Sequence, residues 1–335
     1  MNSLILRIGA ILSFPLAVFA AEIPSSLPAL SRIAFLGNSI TAGVGVKSPA
    51  DRYSTVATRL LQERFPNLRE INLGRSGQAL SAQKLDYAQA EVLSKNPDAV
   101  VIQWGVNDQY WGYSVSEFVS HYEKLVSALR AAKPEMPIVL TTPIADFRWP
   151  ENQDVWISQA GVAIQEIAMR HRCHLADTHH ALDHQKSFYA DSIHPNNAGA
   201  QAMAKAIVEA LGVPPLSQEN ARIRFDQGAE IRFRQYVFLP ERQGTEPRWT
   251  AISDLSPRGM TLDSQIPITI RTAPIYPKGE YRIEVRGKSG TVLETIQATA
   301  AWARMLNFKI TPKEGEAPFQ IQITASTESG TPPGK

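Results

Sequence analysis

The chain has 335 residues, of which 44% are hydrophobic and 20% are charged, and this is the composition of a globular protein rather than a disordered or fibrous one. A chain of this length has room for about two domains, each with its own core. The formal net charge is +2, and the lysines and arginines form no basic run. Because phosphate binding depends on clustered cations, this charge pattern argues against nucleic acid as a partner.

The first twenty residues have the composition of a secretory signal peptide. Arg7 precedes a run of apolar and small residues, 8–20, and Val18 and Ala20 place small side chains at positions −3 and −1 of a cleavage site. The run is shorter than the ~20 residues that span a bilayer, which argues against a stable membrane span. We therefore expect residues 1–20 to be removed on export and the mature protein to be secreted or periplasmic.

The next segment, residues 21–212, alternates short apolar runs with helical patterns. The predicted strands are residues 32–36, 70–73, 99–104, 138–142 and 174–177. The predicted helices are residues 54–65, 80–93, 116–132 and 155–171 and a last helix that ends near Leu211. Near-continuous apolar strands that alternate with helices predict a doubly wound α/β domain with a parallel sheet, whose ligands bind beyond the carboxyl ends of the strands.

The pattern changes after Gly212, and we expect residues 213–220 to form a linker. Residues 221–328 have no helical period, and a turn sequence, Gly287-Lys-Ser-Gly290, separates two of their alternating segments. The predicted strands are residues 230–238, 266–271, 281–285, 292–298, 306–310 and 319–325. This pattern predicts a small antiparallel β-sandwich as an accessory domain, followed by a flexible tail, residues 329–335.

A candidate nucleophile follows the first predicted strand. Ser39 lies between two glycines, in Phe35-Leu-Gly-Asn-Ser-Ile-Thr-Ala-Gly43, and such glycines permit a tight turn that lifts the serine to the ligand edge of the sheet. A serine hydroxyl is a weak nucleophile unless a base takes its proton. His194 is a suitable base, because Asp191, three residues earlier, can hold the ring in one tautomer and stabilise the imidazolium.

Acyl transfer also needs hydrogen-bond donors for the developing oxyanion. The loop after the second strand contains Gly77, whose backbone N–H is one candidate, and Gly74, three residues earlier, is an alternative. Asn107 follows the third strand, and its side-chain amide can donate to an oxyanion without carrying charge. The backbone N–H of Ser39 is the third predicted donor.

Four sequence blocks, which contain Ser39, Gly77, Asn107 and the Asp191–His194 pair, each follow a strand or precede the last helix. In this order they resemble the SGNH/GDSL hydrolase family over about residues 30–211. The resemblance implies a flavodoxin-like, three-layer fold and a serine esterase that uses water and needs no cofactor. It implies a catalytic triad of Ser39, Asp191 and His194, with an oxyanion hole of Ser39, Gly77 and Asn107.

One block departs from the family pattern. The sequence usually written Gly-Asp-Ser-Leu is Gly37-Asn-Ser-Ile40 in this chain. Asn38 keeps a short side chain that can bond nearby backbone groups, although it lacks the negative charge. Since the replaced aspartate is not a member of the triad, we interpret the change as variation within the family rather than as loss of activity.

Aromatic residues follow the third and fourth strands, close to the predicted site. Tyr110, Trp111 and Trp149 are candidate substrate contacts, because their rings can stack on sugar faces or line an acyl pocket. Tyr113 and Phe147 belong to the same two loops. Each of these rings has a second interpretation, as an anchor that packs its loop onto the surface.

Four histidines lie close together in the sequence, namely His174, His179, His180 and His184. His180 and His184 are four residues apart and could share a helix face, but the glutamate that follows the first histidine in a zinc hydrolase helix is missing. We therefore expect solvated or structural histidines and no metal site. The single cysteine, Cys173, is expected to be a buried or idle thiol.

Taken together, these features predict an exported serine esterase that hydrolyses small acyl esters, acetyl esters above all, on carbohydrate. One alternative is a periplasmic lysophospholipase or thioesterase with a long apolar groove. A second is a non-catalytic glycan-binding protein on a hydrolase scaffold. The predicted partner is a small-molecule or polysaccharide ester, and the sequence does not define the oligomeric state.

Overall fold

The computed structural model describes residues 27–83, 85–148, 153–244 and 246–326. The predicted signal peptide, residues 1–20, and the predicted tail, residues 329–335, lie outside them. Within the described residues, none of the helices has the length and apolar character that crossing a membrane would need.

The first half of the chain contains a five-stranded sheet in which all pairings are parallel. Its strands, in the spatial order β2-β1-β3-β4-β5, are β1 (Arg32–Gly37), β2 (Arg69–Gly74), β3 (Ala99–Gln103), β4 (Ile138–Thr141) and β5 (His174–Ala176). This arrangement confirms the predicted doubly wound fold.

Helices cover both faces of this sheet. They are α1 (Ser39–Ala42), α2 (Tyr53–Leu61), α3 (Leu85–Ser94), α4 (Val106–Tyr110), α5 (Val115–Ala132), α6 (Gln153–Arg170), α7 (Thr178–Leu182) and α8 (Asn197–Leu211). Successive strand residues point to opposite faces. Ile33 and Phe35 of β1 therefore join the apolar cluster of α2 and α8, whereas Ala34 and Leu36 join that of α3 and α5.

The second half of the chain is all-β. Its strands are β6 (Ile223–Asp226), β7 (Ile231–Phe233), β8 (Tyr236–Pro240), β9 (Trp249–Ser256), β10 (Gly259–Ser264), β11 (Ile268–Arg271), β12 (Gly279–Arg286), β13 (Val292–Ala300), β14 (Asn307–Ile310) and β15 (Phe319–Ala325). They form two antiparallel sheets, of order β13-β12-β15-β10-β9-β6 and β14-β11-β8-β7. Residues from both sheets share one core, as predicted for a sandwich.

The predicted number of strands in this half was wrong, since six were predicted and the described residues form ten. The predicted strand 230–238 is two strands, because Arg234 and Gln235 have positive φ angles of 49° and 66° and form a turn. Strands β6, β9 and β10 were not predicted. Each has few large apolar residues or an interrupted alternation, as at Asp254, which has a φ of 55°.

The two halves pack against each other through α6 and β6. Val162 and Met169 of α6 belong to the same apolar cluster as Ile223 and Phe225. The side chain of Gln165 donates to the carbonyl of Arg224 at 3.1 Å. The two halves of the molecule therefore share a buried surface that joins the last part of the α/β domain to the first strand of the sandwich.

Candidate active site

The candidate nucleophile lies at the carboxyl end of β1, which pairs with β2 on one side and β3 on the other. Ser39 is the first residue of α1, and Asn38 caps this helix by accepting a hydrogen bond from the Ile40 N–H at 3.0 Å. The first backbone N–H groups of a helix have no acceptor within it, so that of Ser39 points out of the helix end. At Gly37 a Cβ would lie 2.5 Å from the Gln103 carbonyl, which explains the need for glycine there.

The three predicted triad residues form one continuous chain of hydrogen bonds. His194 Nε2 lies 2.8 Å from Ser39 Oγ, and His194 Nδ1 lies 2.7 Å from Asp191 Oδ2. Because a carboxylate only accepts, Nδ1 carries the proton and Nε2 presents its lone pair to the serine hydroxyl. This is the tautomer that can take the proton of Ser39.

The Asp191 carboxylate is held by its own turn. Its Oδ1 accepts hydrogen bonds from the backbone N–H groups of Ile193 and His194, each at 2.8 Å. Partial burial alone would raise the pKa of Asp191, but the hydrogen bonds from the His194 ring and from the two backbone groups together hold it below its ordinary value. Asp191 is thus an anion at neutral pH, although its side chain is 53% exposed.

Two contacts that the sequence did not reveal bring the serine and histidine loops together. Gly45 has a φ of 98°, and a Cβ there would lie 2.8 Å from the Cβ of His194 and 2.6 Å from the Pro195 carbonyl. On the other side, the Phe147 N–H donates to the carbonyl of Ser192 at 2.9 Å. The triad turn is therefore held between the loop after α1 and the loop after β4.

The predicted oxyanion loops are fastened to each other. Asn107, in α4, donates one amide hydrogen to the Gln78 carbonyl at 2.8 Å. The next residue, Asp108, is fully buried and accepts from the Ser81 N–H and hydroxyl and from the Leu80 N–H at 2.7–3.2 Å. Burial raises the pKa of Asp108, and these hydrogen bonds oppose the shift. Asp108 therefore ties the loop after β2 to α4, a role that the sequence analysis did not assign.

Of the two candidate glycines, only one has its N–H engaged by a neighbouring side chain. Gly74 donates to Asn72 Oδ1 at 2.9 Å, and a Cβ on Gly74 would lie 2.2 Å from the Ala42 nitrogen. Gly74 is thus a packing position against α1. Gly77 has a φ of 75° and open space where a Cβ would be, so its glycine is required by the backbone turn.

The aromatic residues divide into exposed rings and loop anchors. Tyr110 and Trp111 follow Asn107 by three and four residues and are 51% and 64% exposed. Their rings meet edge to face at 6.3 Å between centroids. Tyr113 accepts a hydrogen bond from the Trp156 indole at its carbonyl, so its segment is an anchor. Trp149 lies outside the described residues.

An arginine completes this exposed aromatic group. The guanidinium of Arg148 lies 4.2 Å from the centre of the Tyr110 ring. It is oriented by Asp146, which is fully buried and binds the Arg148 Nη2 at 2.6 Å and Nε at 2.9 Å. The sequence signal was available, since Asp146-Phe-Arg148 follows a strand at the same sheet edge as Ser39, but it was not recognised.

The four histidines are largely buried, so they have the structural rather than the solvated of the two predicted roles, but the suggested shared helix face of His180 and His184 is wrong. His174 is buried and structural, with its Nδ1 2.9 Å from the Ala210 carbonyl. His180 and His184 do not share a helix face, because α7 ends at Leu182. Instead the rings of His179 and His184 meet, and they are not solvated.

The cysteine prediction is confirmed. Cys173 is buried, and burial raises the pKa of its thiol to about 11. A thiol that stays protonated at neutral pH is a poor nucleophile, and Cys173 has no part in the site around Ser39.

The model of the GDSL-like lipase/acylhydrolase family matches residues 35–202, the segment that contains Ser39, Asp191, His194 and both predicted oxyanion loops. The chain belongs to this family. The family is one of carboxylic ester hydrolases, and the resemblance seen in the sequence blocks is thereby confirmed.

An acetylxylan esterase of Xylanibacter ruminicola is 31% identical to this chain over an alignment of length 220, and the match covers 57% of the chain and 45% of that protein. The match thus spans about half the length of this curated relative. Among solved structures, an acetyl xylan esterase variant from Geobacillus stearothermophilus is 26% identical, with a TM-score of 0.45 over 54% of this chain and 94% of that one. A two-domain esterase active on acetylated mannans is 21% identical, with a TM-score of 0.44 over 89% of this chain and 91% of that one.

Proposed function

We propose that this protein is an exported serine esterase that removes small acyl groups, chiefly acetyl groups, from a carbohydrate. The observation that carries the proposal is the unbroken chain of hydrogen bonds from Ser39 Oγ through His194 to Asp191. A binding protein on a disused hydrolase scaffold has no need for this alignment. Export rests on the signal-peptide pattern of residues 1–20.

The proposed reaction proceeds through an acyl-enzyme. Ser39 Oγ attacks the ester carbonyl as its proton passes to His194 Nε2, and the Asp191 carboxylate stabilises the imidazolium. The C–O bond to the alcohol then breaks, and His194 returns the proton to the leaving oxygen. A water molecule, deprotonated by the same nitrogen, attacks the acyl-enzyme and releases the carboxylic acid and free Ser39.

The oxyanion of each tetrahedral intermediate needs donors that are in place beforehand. We assign this role to the backbone N–H groups of Ser39 and Gly77 and to the amide of Asn107. The bond from Asn107 to the Gln78 carbonyl uses one of its two amide hydrogens, and the other is available for the oxyanion. The same bond fixes the Asn107 side chain relative to the loop of Gly77.

The carbohydrate assignment is supported by the exposed rings beside Asn107. Tyr110 and Trp111 present apolar faces to water one helical turn from the proposed oxyanion hole, and such faces can stack on sugar rings. Arg148 adds hydrogen-bond donors next to Tyr110. The acetylxylan esterase of Xylanibacter ruminicola supports the same substrate class.

The test uses the mature protein, Ser39→Ala and, as a matched control, Ser94→Ala, a serine at the end of α3. Each is assayed on p-nitrophenyl esters from acetate to octanoate and for acetate release from acetylated xylan. We expect acetate to be the best acyl group and Ser39→Ala to lose about 10⁴-fold or more in kcat. A preference for octanoate would replace the proposal with a lipolytic enzyme. Full activity of Ser39→Ala would disprove the nucleophile.

A further inference from the structure

A cluster of metal-binding side chains lies where the two halves of the molecule meet. It consists of His179 in α7, His184 just beyond α7, and Asp226 at the end of β6, and we call it the interdomain cluster. One donor atom from each residue lies within 4.8 Å of the other two. His179 Nε2 is 2.7 Å from Asp226 Oδ2, His184 Nε2 is 2.8 Å from His179 Nε2, and His184 Nε2 is 3.6 Å from Asp226 Oδ2.

The interdomain cluster is buried and shares no residue with the site around Ser39. The side chains of His179, His184 and Asp226 are 4%, 13% and 9% exposed. Asp226 Oδ2 also accepts a hydrogen bond from the Ser158 hydroxyl at 2.6 Å. Burial of a carboxylate and two imidazoles at one point is costly unless each polar atom has a matched partner.

In the interdomain cluster, one nitrogen of His179 faces another hydrogen-bond acceptor instead of a donor. His179 Nδ1 lies 3.1 Å from the Pro143 carbonyl, and since a carbonyl only accepts, Nδ1 carries the proton. Neutral His179 then presents the lone pair of Nε2 to a carboxylate oxygen and to a second imidazole nitrogen. The lone pairs of His179 Nε2 and Asp226 Oδ2 thus face each other at 2.7 Å, an arrangement that a cation bound between them stabilises.

A third imidazole, that of His180, lies next to the Asp226 carboxylate. His180 Nδ1 lies 2.9 Å from Asp177 Oδ1, so it donates to that oxygen. His180 Nε2 is buried, makes no hydrogen bond and lies 3.5 Å from Asp226 Oδ1. The His180 side chain is 9% exposed. A buried imidazole nitrogen without a hydrogen bond, next to two imidazoles and a carboxylate, is what an incomplete ligand set would contain.

We propose that the interdomain cluster binds a divalent transition-metal ion, with His179 Nε2, His184 Nε2 and Asp226 Oδ2 as ligands. Two imidazoles and a carboxylate are the donor set that suits Zn²⁺, and His180 Nε2 or a water molecule completes four ligands. Bonds of about 2.0–2.2 Å in a tetrahedral site separate the donor atoms by about 3.3 Å. The two short contacts therefore open by about half an ångström on binding.

The site joins the α/β domain to the sandwich. His179 and His184 come from the former and Asp226 from the latter, so the ion links the first strand of the sandwich to α7. Because such a site exists only when both parts are folded and packed, metal binding stabilises their association. This role is independent of ester hydrolysis, and the test below does not depend on the proposed function.

The test uses full-length mature protein freed of metal with a chelator. Titration with Zn²⁺ in a calorimeter, and with Co²⁺ followed by visible absorption, is carried out on this protein, on Asp226→Asn and on His184→Gln. The control is His121→Gln, since among the residues that the structure describes the His121 ring bonds within its own helix, to the Glu117 carbonyl. Circular dichroism checks that each variant is folded, and His184, at the more exposed end of the cluster, provides the milder change.

We expect one ion per chain, a visible Co²⁺ spectrum of ligand-bound metal, and a rise in Tm of about 5 °C at Zn²⁺ well above Kd. Asp226→Asn and His184→Gln should weaken binding at least 100-fold, and His121→Gln should bind as the parent protein does. Absence of stoichiometric binding by the parent protein would overturn the proposal. Equal binding by folded His184→Gln would also overturn it.

Discussion

The molecule contains two pairs of a histidine and an aspartate with the same contact distance but different surroundings. His194 and Asp191 are joined at 2.7 Å at the edge of the α/β domain, and His179 and Asp226 are joined at 2.7 Å between the domains. The Asp191 side chain is 53% exposed, whereas that of Asp226 is 9% exposed. Two pairs that are alike in chemistry thus occupy opposite environments.

The second nitrogen of each ring shows the larger difference. In His194 the Nδ1–H donates a hydrogen bond to the carboxylate, and Nε2 faces a hydroxyl that can donate to it. In His179 the Nδ1–H donates to a backbone carbonyl, and Nε2 faces a carboxylate and another imidazole. The first arrangement suits a general base, and the second suits a metal ligand, as proposed above. A histidine–carboxylate contact therefore has no fixed role until the other nitrogen is examined.

The largest expected effect is on catalysis by His194 and Asp191, which we call the exposed pair because the Asp191 side chain is 53% exposed. His194→Ala removes the only group seen to contact Ser39 Oγ in the triad chain, and we expect kcat on p-nitrophenyl acetate to fall about 10⁴-fold or more. Its Tm should stay close to that of the parent protein, because the ion pair that is lost has a half-exposed partner, Asp191. Steady-state kinetics and a thermal melt measure both quantities. Loss of less than tenfold in kcat would refute the role of general base.

The next largest expected effect is on the free energy of unfolding and concerns His179 and Asp226, which we call the buried pair. Asp226→Ala leaves His179 without its carboxylate in a buried site, and loss of one partner of a buried pair costs about 3–5 kcal/mol of unfolding free energy. Asp191→Ala breaks a pair that is half exposed, for which the cost is about 1 kcal/mol or less. Urea unfolding of the two variants measures both values. Equal destabilisation would show that burial does not separate the pairs.

The exposed pair could be predicted from the sequence, but the buried pair could not. Asp191 and His194 lie in one turn, and the parallel sheet necessarily brings that turn to the edge where Ser39 lies. Asp226 is 47 residues from His179 and lies on β6, a strand of four residues with only two apolar side chains, Ile223 and Phe225. Only the packing of the sandwich on α6 brings the two together.

The extent of burial also explains which strands could be predicted from the sequence. In the α/β domain β3 and β4 are buried along their whole length and are apolar except for their last residues, Gln103 and Thr141, so their bounds were predicted within one residue. In the sandwich several strands, such as β12 and β15, have one face exposed to water, and in β9 a single bend at Asp254 is enough to hide the alternation. The bond from Asp146 to Arg148 was missed although both residues follow β4 at the sheet edge where Ser39 lies, because the burial of Asp146 cannot be read from a loop sequence.

The smallest expected effect concerns the response of the exposed pair to acid. The hydrogen bonds to Asp191 hold its pKa below the ordinary value. Between the lowered pKa and the ordinary pKa, the folded protein therefore binds fewer protons than the unfolded chain. The stabilisation is then fully present above the ordinary pKa of about 4 and is lost as the pH falls through the lower pKa of the folded protein. Because the side chain is 53% exposed, solvent screening keeps the effect at about 1 kcal/mol or less.

Asp191→Asn isolates this contribution, since all other acidic groups are common to both proteins. The difference in unfolding free energy between the parent protein and Asp191→Asn, measured by urea unfolding from pH 7 to pH 3, should shrink as the pH falls below about 4. A difference that is independent of pH would mean that Asp191 is not preferentially ionised in the folded state. In that event Asp191 would orient His194 without supplying the charge that stabilises its imidazolium, and the exposed pair would differ from a general-base pair in this respect.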